Sequence, residues 1–188
     1  MDLSATFQTI IGAGIGSAII QAVIPAFRDW RKQSAQASYL ALRLAVTLEA
    51  FASASCDLIA VNENAPCSPD HAYPRWTTKL PALAEFPPDQ EGWLALDRDL
   101  AERALAFRNR VSKSQSVISD TAWLNEGALG ASVETEAMER GLEAWRLASD
   151  LRTKHRAKAA RPIWDYAAKL ESIEARQKEY MRENNKQP

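Results

Sequence analysis

The chain has 188 residues, 46% of them hydrophobic and 25% charged, with a formal net charge of −1. That length suits one domain with an appendage, and a near-neutral chain gives no global electrostatic case for nucleic acid or acidic substrates. Two cysteines, Cys56 and Cys67, are too few for a disulfide framework and read as free thiols of a reducing compartment.

The first element is a charge-free run of 25 residues, Leu3 to Phe27. Gly12, Gly14 and Gly16 within it suggest a phosphate loop only at first sight. The dinucleotide fingerprint needs a preceding strand and a third glycine at the sixth position, which here is Ser17; a P-loop needs a lysine, and none comes before Lys32. A secretory leader fits poorly too: Asp2 stands where a basic region belongs, and the one A-x-A, Ala35-Gln36-Ala37, lies beyond a charged cluster. A membrane helix fits better, since about 20 apolar residues cross a bilayer core. Arg28, Trp30, Arg31 and Lys32 border the run as a basic and aromatic interface anchor. Gly12 with Gly16, and Ala13 with Ser17, form two small-xxx-small pairs through which such helices pack closely. Gln8 and Gln21 could bond between neighbouring helices, but about 140° separates them, so a lumen lined by both is a poor fit. The basic border predicts a single pass with the N-terminus outside and residues 28–188 as a cytoplasmic helical domain.

The periodicity beyond Lys32 is helical. Leu40, Leu44, Leu48, Phe51, Leu58 and Ile59 share one face, and the charges Arg43, Glu49 and Asp57 share the opposite arc. This helix is expected to run on almost directly from the membrane helix. Residues 62–92 hold six of the nine prolines and are expected to form a proline-rich strap, docked by Trp76, Leu80, Leu83 and Phe86. From Asp97 a helix resumes with Leu100, Ala104, Phe107, Val111, Ser114, Ile118 and Ala122 inward, and with Asp99 and Arg103 paired at i,i+4. Gly127 and Gly130 punctuate. A further helix is expected from Ser132 as N-cap, with Val133, Ala137, Ala144, Ala148, Leu151 and His155 on a mostly small-residue face. Pro162 separates it from a last helix carrying Tyr166, Leu170, Ile173 and Tyr180. Of the six tryptophans, Trp30 and Trp76 are candidates for an interface and the others for the core.

Chemistry is sparse. Cys67 and His71 have the spacing of half a zinc site, but a structural zinc needs four ligands and Cys56 is the only other thiol. Arg152 precedes His155 by three residues, too close for the R-x(4–6)-H signature of HEPN-type ribonucleases. No catalytic, cofactor-binding or metal-binding residue is therefore assigned, and no cofactor is expected. "RTKHRAKAAR" supplies Arg152, Lys154, Arg156, Lys158 and Arg161 as a possible anionic contact, for lipid headgroups or nucleic acid; its plainer reading is a helix end that complements its own dipole.

Three stretches, "YLALRLAVTLEAFA", "KLPALAEFPPDQEGWLALD" and "LAFRNRV", give the chain from Tyr39 to about Trp164 a resemblance to uncharacterised bacterial single-span helical proteins. The layout is similar to that of small membrane-acting accessory proteins of bacterial defence systems. The resemblance implies no activity and no functional residue.

The expectation is thus an all-α protein: one N-terminal transmembrane helix, then an irregular bundle of about four amphipathic helices with a proline-rich loop. Its expected role is non-enzymatic: a self-associating single-pass membrane protein, either a pore-like effector or an anchored scaffold. The alternative is a membrane-tethered enzyme or nucleic-acid-binding helical domain without a recognisable motif. The expected partners are the lipid bilayer and further copies of the chain; nucleic acid is not expected.

Overall fold

The computed structural model describes residues 3–66, 74–162 and 164–184, with side chains from Phe27 onward except at 180, 181 and 184. Among the described residues the protein is all-helical, with a long apolar N-terminal helix followed by other helices. The first, α1, is unbroken from Leu3 to Glu63. At 1.5 Å per residue its 61 residues measure about 90 Å. The expected direct continuation of the apolar run into the first amphipathic helix is what the backbone does.

Among the described side chains, packing on α1 begins at Ala37; residues 27–35 are all exposed. Below that point the predicted face is the core. Leu40, Leu44, Leu48, Phe51 and Ile59 are at most 2% exposed. Arg43 and Asp57 face solvent as expected, but Glu49 is half-buried, because Arg152 comes over from another helix to meet it.

The strap is shorter than 62–92. Asn62 still lies in α1, and a one-and-a-half-turn helix, α2 (Gln90–Ala95), starts where Asp89 caps the Gly92 amide at 2.9 Å. Between them, residues 74–89 have no regular secondary structure. From Pro74 to Leu80 burial alternates residue by residue, the signature of extended chain with one face docked. Extended backbone without a ladder must still satisfy its polar groups. Two side-chain amides do this. Asn62 Oδ1 accepts from the Thr77 amide at 2.8 Å while its Nδ2 donates to the Thr77 carbonyl at 3.0 Å. Gln115 does the same across Leu80 N and Thr78 O, at 2.8 and 3.1 Å. Trp76, Leu80, Leu83 and Phe86 all dock, as their apolar character predicted.

Asp97 caps α3 (Arg98–Leu124) through the Leu100 amide at 3.4 Å. Leu100, Ala104, Phe107, Ser114 and Ile118 are buried and Val111 partly so, whereas Ala122 is exposed near the helix end. Phe107 meets Phe51 edge-to-face, centroids 5.4 Å apart, a pair worth about 1 kcal/mol beyond its burial. A short 3₁₀ turn, Glu126–Ala128, leads into α4 (Leu129–Lys154). Ser132 is not its N-cap: the helix starts three residues earlier, and Ser132 Oγ instead meets Thr121 Oγ1 at 3.3 Å. Gly130 is not punctuation either. It lies inside α4, and a Cβ there would stand 2.7 Å from the Trp76 ring, so glycine makes room for the strap.

The small-residue face of α4 does admit a close neighbour. α4 runs antiparallel to α1 and is its main packing partner. At Gly141 a Cβ would stand 3.0 Å from Ser55 Cβ and 3.1 Å from Leu170 Cδ1. Met138, Leu142 and Leu147 are buried beside the predicted residues. The last helix, α5 (Tyr166–Asn184), buries Leu170 and Ile173 against this junction. Tyr180 lies outside the described side chains. The tryptophans divide differently from expectation. Trp76 docks in the strap, Trp93 and Trp145 pack partly buried on the core, and Trp123 and Trp164 are exposed at 90% and 72%.

Candidate functional site

Antiparallel packing gathers the start of α3 and the end of α4 around the point where α1 enters the bundle. We refer to it as the near end. Lys32 Nζ lies 3.8 Å from Glu91 of α2, and Gln36 also donates to Glu91. Ser38 Oγ is 3.5 Å from His155 Nδ1, past the last turn of α4. Lys154 Nζ reaches Asp97, the α3 cap, at 3.0 Å. Asp29, Lys32, Gln33, Gln36, Glu91 and Leu94 line a cleft of about 370 Å³ between α1 and α2.

The anchor residues Arg28, Trp30, Arg31 and Lys32 are all exposed on α1 just ahead of this end. The Phe27 and Trp30 rings lie 5.9 Å apart, and the Arg31 guanidinium sits 6.0 Å from the Phe27 centroid. Gly12, Ala13, Gly16 and Ser17 lie in the α1 helix, with side chains outside the described set. Cys67 and His71 lie outside the described residues altogether.

The five basic residues of "RTKHRAKAAR" do not form one patch. Arg152 turns into the bundle: its Nε and Nη2 donate to Glu49 at 2.5 and 2.8 Å, and its Nη1 to the Lys158 carbonyl at 2.8 Å. Glu49 holds the Arg152 guanidinium above its ordinary pKa through this hydrogen bonding. Lys154 is engaged by Asp97. Arg156 is exposed at the tip, while Lys158 and Arg161 lie on the linker that runs back along the bundle.

The linker reverses through a tight cap. Arg156 N donates to the Thr153 carbonyl at 3.2 Å and Ala157 N to the Arg152 carbonyl at 2.9 Å. This 5→2 and 6→1 pair is a Schellman motif, whose C′ residue must be left-handed and is usually glycine. Here it is Arg156, at φ 53°, the only non-glycine positive φ among the described residues. Arginine in that conformation costs about 1 kcal/mol.

His155 adjoins this cap. Its Nε2 is buried without a hydrogen-bond partner, and burial holds the imidazole below its ordinary pKa. Ser38 is no activated nucleophile, since its hydroxyl donates to the Ser34 carbonyl at 2.8 Å. Elsewhere, Cys56 Sγ donates to the Tyr166 carbonyl at 3.6 Å, and burial pushes the thiol up to about 11. A thiol so placed is protonated at neutral pH and weakly reactive. Among the described residues no three His, Cys, Asp or Glu side chains converge as a metal site. At the near end Lys32 and Glu91 form an ion pair, and Asp97 both caps α3 and pairs with Lys154.

Comparison of the chain with family models, curated proteins and solved structures returns no match.

Sequence reasoning could not see the near end as a unit. Its contacts join residues 55 to 117 positions apart, such as Gln36 with Glu91 and Ser38 with His155. The Arg156 conformation carried one faint signal: a helix ending without glycine before Pro162.

Proposed function

We propose that the protein is a non-enzymatic, single-pass membrane protein that self-associates and acts as an anchored scaffold, with its bundle on the cytoplasmic side. The observation that carries this reading is the mismatch along α1. The helix does not end where the packing of its described side chains ends at Ala37; it runs on to Leu3 through the exposed basic-aromatic border and the charge-free stretch. Leu3 to Phe27 amounts to about 37 Å of helix, enough to cross a core of about 30 Å with some tilt.

Self-association has its own support on the outer face of α1. Tyr39, Leu42 and Val46 are 60%, 40% and 52% exposed, with Ala35, Ala50 and Arg43 also exposed on the same side, the Arg43 guanidinium 5.7 Å from the Tyr39 ring centroid. A stripe of this kind on an otherwise packed helix suits a second copy of the chain, since copies sharing one bilayer present it at the same height. At about 100° per residue, positions 13 and 17 fall within about 60° of the middle of that stripe, whereas 12 and 16 fall more than about 100° away. A seam that keeps its phase through Pro25 would use the Ala13–Ser17 pair rather than Gly12–Gly16.

The test is native mass measurement of the full chain in detergent. Ala13→Ile/Ser17→Ile is expected to reduce the assembly to monomer, and Gly12→Ile/Gly16→Ile to leave it assembled. A wild-type monomer refutes self-association. A chain that stays in the supernatant after ultracentrifugation without detergent refutes the anchor.

A further inference from the structure

We infer that the groove holding residues 74–80 is a binding site for an extended peptide segment of another protein, with the chain's own strap as its resident occupant. The inference does not depend on the anchored reading of α1.

The groove reads backbone first. Asn62 of α1 takes the amide and the carbonyl of Thr77, and Gln115 of α3 takes the carbonyl of Thr78 and the amide of Leu80. No strap side chain enters these bonds, and Thr77 and Lys79 are exposed. Two seats add selectivity. Trp76 lies against Gly130 of α4, which has no Cβ to collide with the ring, and Leu80 is buried four residues on. Main-chain bonds for affinity, with alternate side chains in pockets for choice, are how proteins hold extended peptides. The chemistry of an occupant follows. It has an aromatic residue and an aliphatic one four positions later. It has no proline at the first or fourth position after the aromatic, because both of those amides are bonded.

The strap is lightly held. From Pro74 to Leu80 only Leu80 is buried, and the Asn62 bonds are open to water, which competes for them. A segment with few buried contacts and exposed hydrogen bonds opens locally before its domain unfolds. The seat outlasts such opening, since α1 and α3 each pack directly on α4. The strap also leaves apolar surface uncovered at this end of the bundle. Thr121 meets Ser132 at 3.3 Å, so the end of α3 lies beside the start of α4. Trp123 and Leu124 there are 90% and 86% exposed, and an occupant longer than the strap has them to cover.

The experiment is fluorescence anisotropy with a labelled peptide of residues 74–80, Pro-Arg-Trp-Thr-Thr-Lys-Leu, titrated with the full chain. Trp76→Ser/Leu80→Ser in the chain empties the two seats and should bind the peptide. The wild-type chain should bind it at least about tenfold more weakly, because its own strap competes at high effective concentration. A peptide carrying Thr77→Pro should not bind, since it lacks only an amide that Asn62 needs. The inference is overturned if the double variant melts cooperatively and does not bind, or if it binds both peptides equally. Hydrogen exchange on the wild-type chain decides the matter should that variant fail to fold. The Thr77 and Leu80 amides should then exchange more than about 100-fold faster than that of Leu44, through opening of the strap alone. Exchange of all three at one rate would mean that the strap never vacates the groove of a folded bundle, which also overturns it.

Discussion

The two halves of α1 make an instructive pair. Both are apolar. From Phe27 to Glu63 the helix contains an 18-residue window with mean hydropathy 1.6, sufficient by length and composition to cross a membrane. Yet half of that window is buried, and its inner face is the bundle core, where Leu40, Leu44 and Leu48 meet α2, α3 and α4. From Leu3 to Phe27 the run carries no charge at all, whereas the later half places Arg43 and Asp57 on the side away from that core and half-buries Glu49 against Arg152. Hydropathy alone thus does not distinguish two different physical situations. What separates them is where the charges fall.

The largest effects come from placing the same defect in each half in turn. Leu44→Asp buries an unpaired carboxylate in the core and should cost more than about 4 kcal/mol. Cooperative melting should vanish while membrane residence persists. Ile15→Asp/Ile19→Asp should do the opposite, since each aspartate costs about 3 kcal/mol within a bilayer. Melting should survive and residence should be lost, as read by circular dichroism and by sedimentation. If both variants lose both properties, the two halves are not separate in kind.

A smaller effect probes how the later half tolerates its one inward charge. Glu49 and Arg152 are 17% and 13% exposed at the side chain, between a surface pair and a buried one. Glu49→Ala should cost roughly 2–3 kcal/mol, because Arg152 is left half-buried without its carboxylate. Glu49→Leu/Arg152→Leu should recover most of that. Denaturant melts of the three proteins decide it; equal losses in the single and double variants would mean that packing, not charge, is at stake.

The smallest effect is a pH dependence at the near end. His155 is surrounded by Ser38 of α1, Asp97 ahead of α3 and Lys154 of α4. Its folded-state pKa is lowered, so below about pH 6.5 the unfolded chain takes up the proton first. The stabilising contribution is complete above that pH and declines as the pH falls through the folded value. His155→Gln should flatten the melting temperature between about pH 7 and 5 by a degree or two. An unchanged slope would assign the acid sensitivity to other groups.

Much of the bundle was legible because its inward residues repeat at helical spacing over four or more turns, as Leu40 to Ile59 and Leu100 to Ile118 do. Asp97 as a cap and the Asp99–Arg103 pair were legible for the same local reason. The failures are all non-local. Ser132 had the chemistry of a cap, but Leu129 is buried and draws the helix start back to itself. Gly130 looked like a breaker because nothing nearby in the chain points to Trp76, 54 positions earlier. Asn62 and Gln115 look like ordinary polar helix residues until the strap lies beside them. The basic stretch 152–161 read as one patch because sequence cannot show that a left-handed Arg156 sends its two sides in opposite directions.

The uninterrupted course of α1 also bears on how force and rotation pass through the molecule. Sharp bends in helices arise chiefly at proline, at glycine or where a turn is broken. From Ala26 to Ala65 there is neither glycine nor proline, and the first proline upstream is Pro25. The segment from Ala26 to Glu63 is therefore a stiff shaft fixed to the bundle, and Pro25 stands just upstream of it. Turning the shaft by one residue position swings the entire bundle by about 100°. Whatever sets the rotation of the shaft also decides which way the bundle faces.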